Sequence, residues 1–293
     1  MANVKSLTIE APEPLEDALV ALLWAHGGLG SWSEPAGSGR VRIHGFFDAG
    51  CSELGLAKAL RIAGDVALSR FEPVGDRDRA ATWRRASGPI EVGERFVVDP
   101  REPGEIDTEL PPNGRTLLRL PARTAFGTGS HASTRLAVEL LEALDVAGRA
   151  VVDVGTGSGI LAFAALALGA RSVVALDLDL AAALLLPAYS KLNGARPRAL
   201  AGGLAALSGA ARFDVALVNV VPAEIAPDLP RLAAILRPTA VAIFSGILAA
   251  EAPTALASLA RHGFEARTER ADGEWIAFVA ARRAFAGGWE SAP

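Results

Sequence analysis

The segment VVDVGTGSG, residues 151–159, constrains the fold of this chain more than any other. A hydrophobic run ends around Asp153. Gly155, Gly157 and Gly159 follow at two-residue spacing, and then the apolar stretch ILAFAALALGA begins. A buried strand, a glycine turn and a buried helix in that order form the first unit of an open α/β sheet. Glycine admits a left-handed backbone and lets a ligand lie against the main chain. Ligands in such sheets sit beyond the carboxyl ends of the strands. A second strand, SVVALD, ends at Asp177, 22 residues after Gly155, where an acid can accept hydrogen bonds from both hydroxyls of a ribose.

Two cofactor classes use this logic. The dinucleotide fingerprint is G-x-G-x-x-G, which sets a pyrophosphate on a helix N-terminus. Here the spacing is G-x-G-x-G, and Asp153 precedes the first glycine by two residues. A carboxylate beside a pyrophosphate is repelled; beside an ammonium and a sulfonium it is attracted. S-adenosyl-L-methionine carries both cations and a ribose, so the residues favour it over NAD. Glycines that only permit close strand–helix packing would explain neither acid. Asp179, just before a helical run, is expected to be an N-cap, and Asp214, at the start of a strand, to have a surface or turn role.

The rest of the chain organises around this unit. Residues 1–75 read as strand, helix, strand, strand, helix, strand, the order of a small ferredoxin-like domain. Leu15, Leu19, Leu22 and Leu23 share a face of its first helix, and GSWSEP is its weakest strand. Residues 76–119, dense in charge, Pro and Gly, read as a connector that covers part of the next domain, with GERFVVD and RTLLRL as its strands. From 120 to 283 strands and helices alternate, which predicts a parallel sheet with helices on both faces. Pro187 predicts a kink or an early end to the helix after Asp177, and residues 222–236 predict one helix. Residues 284–293 read as a tail.

Composition removes several classes. At 51% hydrophobic and 21% charged the chain has ample core and is not a disordered protein. A net charge of −4 lacks the basic surplus of a nucleic-acid binder, so no direct nucleic-acid contact is expected. Cys51 is the single cysteine, which rules out an internal disulfide and a cysteine-based zinc site, and fits a cytoplasmic protein. No metal is expected. The first twenty residues lack the pattern of a signal peptide. The longest uncharged run, 154–170, is shorter than the ~20 apolar residues that cross a bilayer, so no membrane association is expected.

Six stretches together resemble the PrmA family, bacterial methyltransferases of ribosomal large-subunit protein eleven. They are AFGTGSHASTRL (125–136), VVDVGTGSGILAFAALALGA (151–170), ALDLD (175–179), FDVALVNVV (213–221), FSGIL (244–248) and GEW (273–275). The resemblance implies a Rossmann-like class I S-adenosylmethionine-dependent methyltransferase domain behind a small α+β ferredoxin-like substrate-recognition domain. It implies methyl transfer to lysine or N-terminal amines of a ribosomal protein. Carried over residue by residue, Thr134, Gly155, Asp177 and Asn219 take the cofactor contacts, with Asp153 and Gly157 beside them. Phe126 and Gly127 belong to the loop over the methyl donor. Asn219 is also the expected catalytic residue, its side-chain oxygen receiving the amine. His131 is expected to order the loop or pack, or else to move a proton.

The sequence departs from the family in places. PARTAFGTG puts Pro121, Ala122 and Arg123 where the family has an acid, Pro and Gly; Tyr189 precedes Asn193 on the helix after Asp177; and Pro222 replaces an alanine after Asn219. Alternatives at this point are a lysine methyltransferase of another protein and a cofactor-binding relative without turnover.

Overall fold

The structure, a computed structural model, describes residues 4–48, 50–62, 66–74, 89–101, 114–121, 129, 131–207 and 212–283. The chain divides into two compact units, 1–88 and 89–293.

In the first unit β1 (Val4–Pro12) leads through α1 (Glu16–Ala25) to the hairpin β2 (Gly28–Gly37) and β3 (Arg40–Asp48). Then come α2 (Glu53–Ile62) and a last strand in two pieces, β4 (Ala67–Leu68) and β5 (Glu72–Val74). The sheet order is β2-β3-β1-β4, with β5 also on β1, and every pairing is antiparallel. That is the ferredoxin-like order. Alternation puts Leu7 and Ile9 of β1 and Val41 and Ile43 of β3 on one buried face, against Leu19 and Leu23 of α1 and Leu56 and Leu60 of α2. Leu15 falls in a 3-10 turn before α1 and packs, with Leu22, at the margin. β2 runs well beyond GSWSEP; as an edge strand it tolerates Pro35, where its register shifts.

The second unit opens with a three-stranded sheet, β6 (Ile90–Val92), β7 (Phe96–Asp99) and β8 (Thr116–Arg119). Its Val92, Phe96, Val98 and Leu118 join the large domain's core, so residues 89–101 and 114–119 of the expected connector are part of that core's cover. Next are α3 (Ala132–Glu142), β9 (Ala150–Val154), α4 (Ile160–Ala167), β10 (Ser172–Asp177), α5 (Leu180–Asn193), β11 (Arg198–Ala201) and β12 (Phe213–Asn219). The chain ends in α6 (Pro222–Ile225), α7 (Leu229–Ile235), β13 (Leu236–Leu248), α8 (Ala252–Arg261), β14 (Phe264–Asp272) and β15 (Trp275–Arg282).

These strands form one seven-stranded sheet of order β11-β10-β9-β12-β13-β15-β14. The first five are parallel; β15 inserts antiparallel between β13 and β14. The strand order reverses between β9 and β12, which opens the ligand crevice of such sheets at their carboxyl ends. The period of two decides which residues line each face. Val151, Val173, Val215, Leu217 and Ile243 pack toward α3, α4 and α5, whereas Val152, Leu176, Ala216, Val218 and Phe244 pack toward α7 and α8. Asp153, Asn219 and Ser245 continue the first set.

Three local expectations are corrected. α5 runs unbroken through Pro187 to Asn193. The amide bond lost at proline is offset by an Asp179 N-cap, a left-handed Gly194 at the other end, and the buried Leu186 and Tyr189 on either side. The single helix expected over 222–236 is two, parted by a 3-10 turn at Ala226–Asp228, because Pro227 and Pro230 each lack the amide that a continuous helix needs there. Asp214 is no surface or turn residue. Its carboxylate accepts the Ala150 N–H at 2.9 Å and pairs with Arg237 at 2.6 Å, clamping the amino ends of β9, β12 and β13. Burial alone would raise its pKa, but the Ala150 N–H and Arg237 hold it below the usual range. Among the described residues no helix is long and apolar enough to cross a membrane.

Candidate active site

Four of the sequence-predicted residues surround the end of β9. Asp153 is the last but one residue of that strand and is 1% exposed. Its Oδ2 accepts the Thr156 hydroxyl at 2.7 Å, while Oδ1 is buried with no close hydrogen-bond partner among the described residues. Burial above all, then the negative charge of Asp177, pushes its pKa up to about 7. A buried carboxylate oxygen left alone is costly, and it is a natural acceptor for a cationic ligand group.

Gly155 turns the chain out of β9 with φ +69°. A Cβ there would collide with Cγ1 of Val220, the residue after Asn219, so the turn from β9 and the turn from β12 touch only because residue 155 has no side chain. The Gly155 and Thr156 amides both donate to Leu176 O, at 2.9 and 3.0 Å, which fastens the loop to β10. Asp177, at the end of β10, accepts the Gly157 N–H on Oδ2 at 2.8 Å and the Asp179 N–H on Oδ1 at 2.9 Å. Each carboxylate oxygen keeps a second lone pair for a ligand hydroxyl. Asp179 caps α5 by accepting the Ala181 N–H at 2.8 Å, the role its position predicts.

The other two residues meet on the far side of β9. Asn219 ends β12 and Thr134 lies in the first turn of α3, completely buried; Asn219 Nδ2 donates to Thr134 Oγ1 at 3.3 Å. Ser245, the register partner of Asn219 on β13, donates its hydroxyl to Ser133 O at 2.7 Å. The first turn of α3 is thus tied to two strand ends. His131 caps α3, its side chain accepting the Ser133 N–H, and its ring stands edge-on to Trp275 at 4.7 Å between centroids. Two sequence stretches far apart, H-A-S-T and G-E-W, therefore meet. Phe126 and Gly127 lie outside the described residues.

Several residues at the site carried no assigned role in the sequence. Gly246 has φ +77°, and a Cβ on it would come within 3.2 Å of both Asn219 Oδ1 and Val220 O. The β13–β15 register slips at this point. The Ser-Gly pair inside an apolar strand was the available signal. On the other flank the Tyr189 hydroxyl donates to Pro121 O, and the Asn193 side chain bonds both Arg119 N and Arg119 O, at 2.7 and 2.9 Å. Two departures from the family pattern, Tyr189 and Pro121, are thus bonded to each other.

A seven-stranded sheet with this switch point, one strand reversed, glycines after the first strand and an acid ending the second define a class I S-adenosylmethionine-dependent methyltransferase domain. The family model described as "Ribosomal protein L11 methyltransferase (PrmA)" matches residues 32–283, and the chain belongs to the PrmA family. It is 34% identical over 282 residues to the ribosomal protein L11 methyltransferase of Synechococcus elongatus, covering 91% of this chain and 92% of that one. It is 37% identical over 214 residues to that of Geobacter sulfurreducens, covering 70% and 66%. Among solved structures it resembles the ribosomal protein L11 methylase of Lactobacillus delbrueckii subsp. bulgaricus. The TM-score is 0.60 at 30% identity, over 67% of this chain and 99% of that one.

Proposed function

We propose that this chain methylates amines of ribosomal protein L11, at lysine side chains or the N-terminus, from S-adenosylmethionine in the cytoplasm. The side-chain carbonyl of Asn219, set at the crevice end of β12 with its NH2 already engaged by Thr134, carries the reading. Family membership supplies the protein substrate.

The residues present fit the cofactor. Asp153 Oδ1, buried and without a close partner among the described residues, suits the ammonium of its methionine part. Gly155 and Gly157 give the loop the left-handed backbone that turns it from β9 toward the crevice, and the remaining lone pairs of Asp177 suit the ribose hydroxyls. When bound, S-adenosylmethionine supplies a methyl group already activated by its sulfonium. The protein's part is positioning. A lysine amine, with a reference pKa of ~10.4, is mostly protonated at neutral pH and must shed a proton before it can attack. Asn219 Oδ1 accepts a hydrogen bond from an amine N–H without titrating, so it orients the amine's lone pair at any working pH. The amine proton leaves to water. By the family resemblance we also assign Phe126 and Gly127 to the loop over the donor.

The test is incubation with methyl-labelled S-adenosylmethionine and purified large ribosomal subunits, followed by mass spectrometry of the labelled protein. Label on ribosomal protein L11 is expected. Label on a different protein moves the substrate assignment, and cofactor binding with no label on any protein removes the enzymatic reading.

A further inference from the structure

We propose that Thr134 is a positioning residue for the acceptor amine, acting through the amide of Asn219. The inference rests on the assignment of Asn219 as the amine's acceptor and adds the device that makes the assignment work. An asparagine amide has two chemically opposite ends: NH2 only donates, and the carbonyl only accepts. Turned one way, it accepts an N–H from the amine and leaves the lone pair free. Turned the other way, its NH2 donates to that lone pair and ties up the electrons that must attack. Asn219 therefore needs something that fixes which end faces the crevice.

Thr134 Oγ1 takes the NH2 end at 3.3 Å. The hydroxyl is well placed to hold it. Thr134 is 0% exposed, and the residues around it are pinned by the His131 cap and by the Ser245 hydroxyl on Ser133 O. Asn219 and Ser245 are register partners, so the helix turn and both strand ends form one rigid corner. Gly246 completes it: a side chain there would press on Asn219 Oδ1 from 3.2 Å. Its absence keeps the accepting end clear on that side.

A double-mutant cycle on Thr134→Val and Asn219→Ala tests this. Turnover is read with saturating cofactor and ribosomal protein L11, and cofactor affinity is read by calorimetry. We expect Thr134→Val to lower kcat about tenfold, the effect of losing one orienting hydrogen bond. Cofactor affinity falls by a smaller factor than kcat, and Thr134→Ser restores the rate. In the Asn219→Ala background Thr134→Val costs nothing further. The Asn219 side-chain NH2 signals in a 15N spectrum move to free-amide positions in Thr134→Val. If Thr134→Val does not fold, Thr134→Ala carries the same cycle. An equal fractional loss in both backgrounds, or weakened cofactor binding with kcat kept, overturns the inference. Asn219→Ala with full turnover instead overturns the underlying assignment, and is recognised from that single variant.

Discussion

Asp153 carries a cost that asparagine would not. Its carboxyl is fully buried, with one oxygen on the Thr156 hydroxyl and the other without a close partner among the described residues, and its pKa rises from 3.8 to about 7. The sign of the pH dependence follows. Unfolded, the group ionises near its ordinary pKa; folded, it holds its proton until about 7. Between those values the native state binds the extra proton, so this group's contribution is complete at low pH and is lost as pH rises through the folded value. At about 1.4 kcal/mol per pH unit, the loss between about pH 4.5 and pH 8 is about 3 kcal/mol. Asp153→Asn keeps an acceptor for Thr156 and does not titrate. Its buried NH2 costs about 1–2 kcal/mol, the same at every pH. Urea denaturation of both proteins, free of cofactor, at the two pH values isolates the titrating part, because every other group cancels in the difference. The variant should gain about 3 kcal/mol on wild type from the lower to the higher pH. Parallel stabilities would show that Asp153 ionises normally, and would refute the argument from burial.

The same carboxyl should ionise when a cationic ligand group reaches it. Calorimetry of S-adenosylmethionine binding near pH 6, in two buffers of different ionisation enthalpy, should show a proton released by wild type and none by Asp153→Asn. Gly155→Ala forces a left-handed backbone and a clash with Val220; cofactor affinity should fall about tenfold by calorimetry, in line with about 1–2 kcal/mol of backbone strain. Asp214→Ala strips Ala150 N–H and Arg237 of their acceptor and should cost about 1–3 kcal/mol in denaturation at neutral pH. Because the Asp214 pKa is lowered, wild type loses that advantage only as pH falls below the ordinary carboxylate range. His131→Asn, which can still cap α3, should retain most turnover, whereas His131→Ala should lose about 1 kcal/mol of stability; a matching loss of turnover in both would assign His131 to proton transfer.

The parallel half of the large sheet could be read directly, because β9, β10 and β12 are hydrophobic runs and β9–β10, β10–β11 and β12–β13 pair in chain order; only the β9–β12 pairing departs from it. The same holds for the Asp179 cap, a local device set within two residues. What the pattern hid is non-local. Nothing in EWIAFVAAR marks it as the strand that slips antiparallel between β13 and β14, since pairing partners leave no trace in a strand's own alternation. The Thr134–Asn219 bond joins positions 85 residues apart, and the Gly246 clearance depends on a strand meeting it from the side. Proline misled twice in opposite directions. Pro187 sits in a helix whose caps and buried flanks outweigh one missing bond, while Pro227 and Pro230 lie close enough together to break theirs. Asp214 looked peripheral because its partners, Ala150 and Arg237, lie on other strands.

The most direct test is a peptide map, by tandem mass spectrometry, of ribosomal protein L11 after incubation with S-adenosylmethionine and either wild type or Asn219→Ala. Methyl groups on lysine Nζ or the α-amine, abundant with wild type and nearly absent with the variant, are the expected result. Methylation of another side-chain type, or an undiminished yield from Asn219→Ala, would contradict the account.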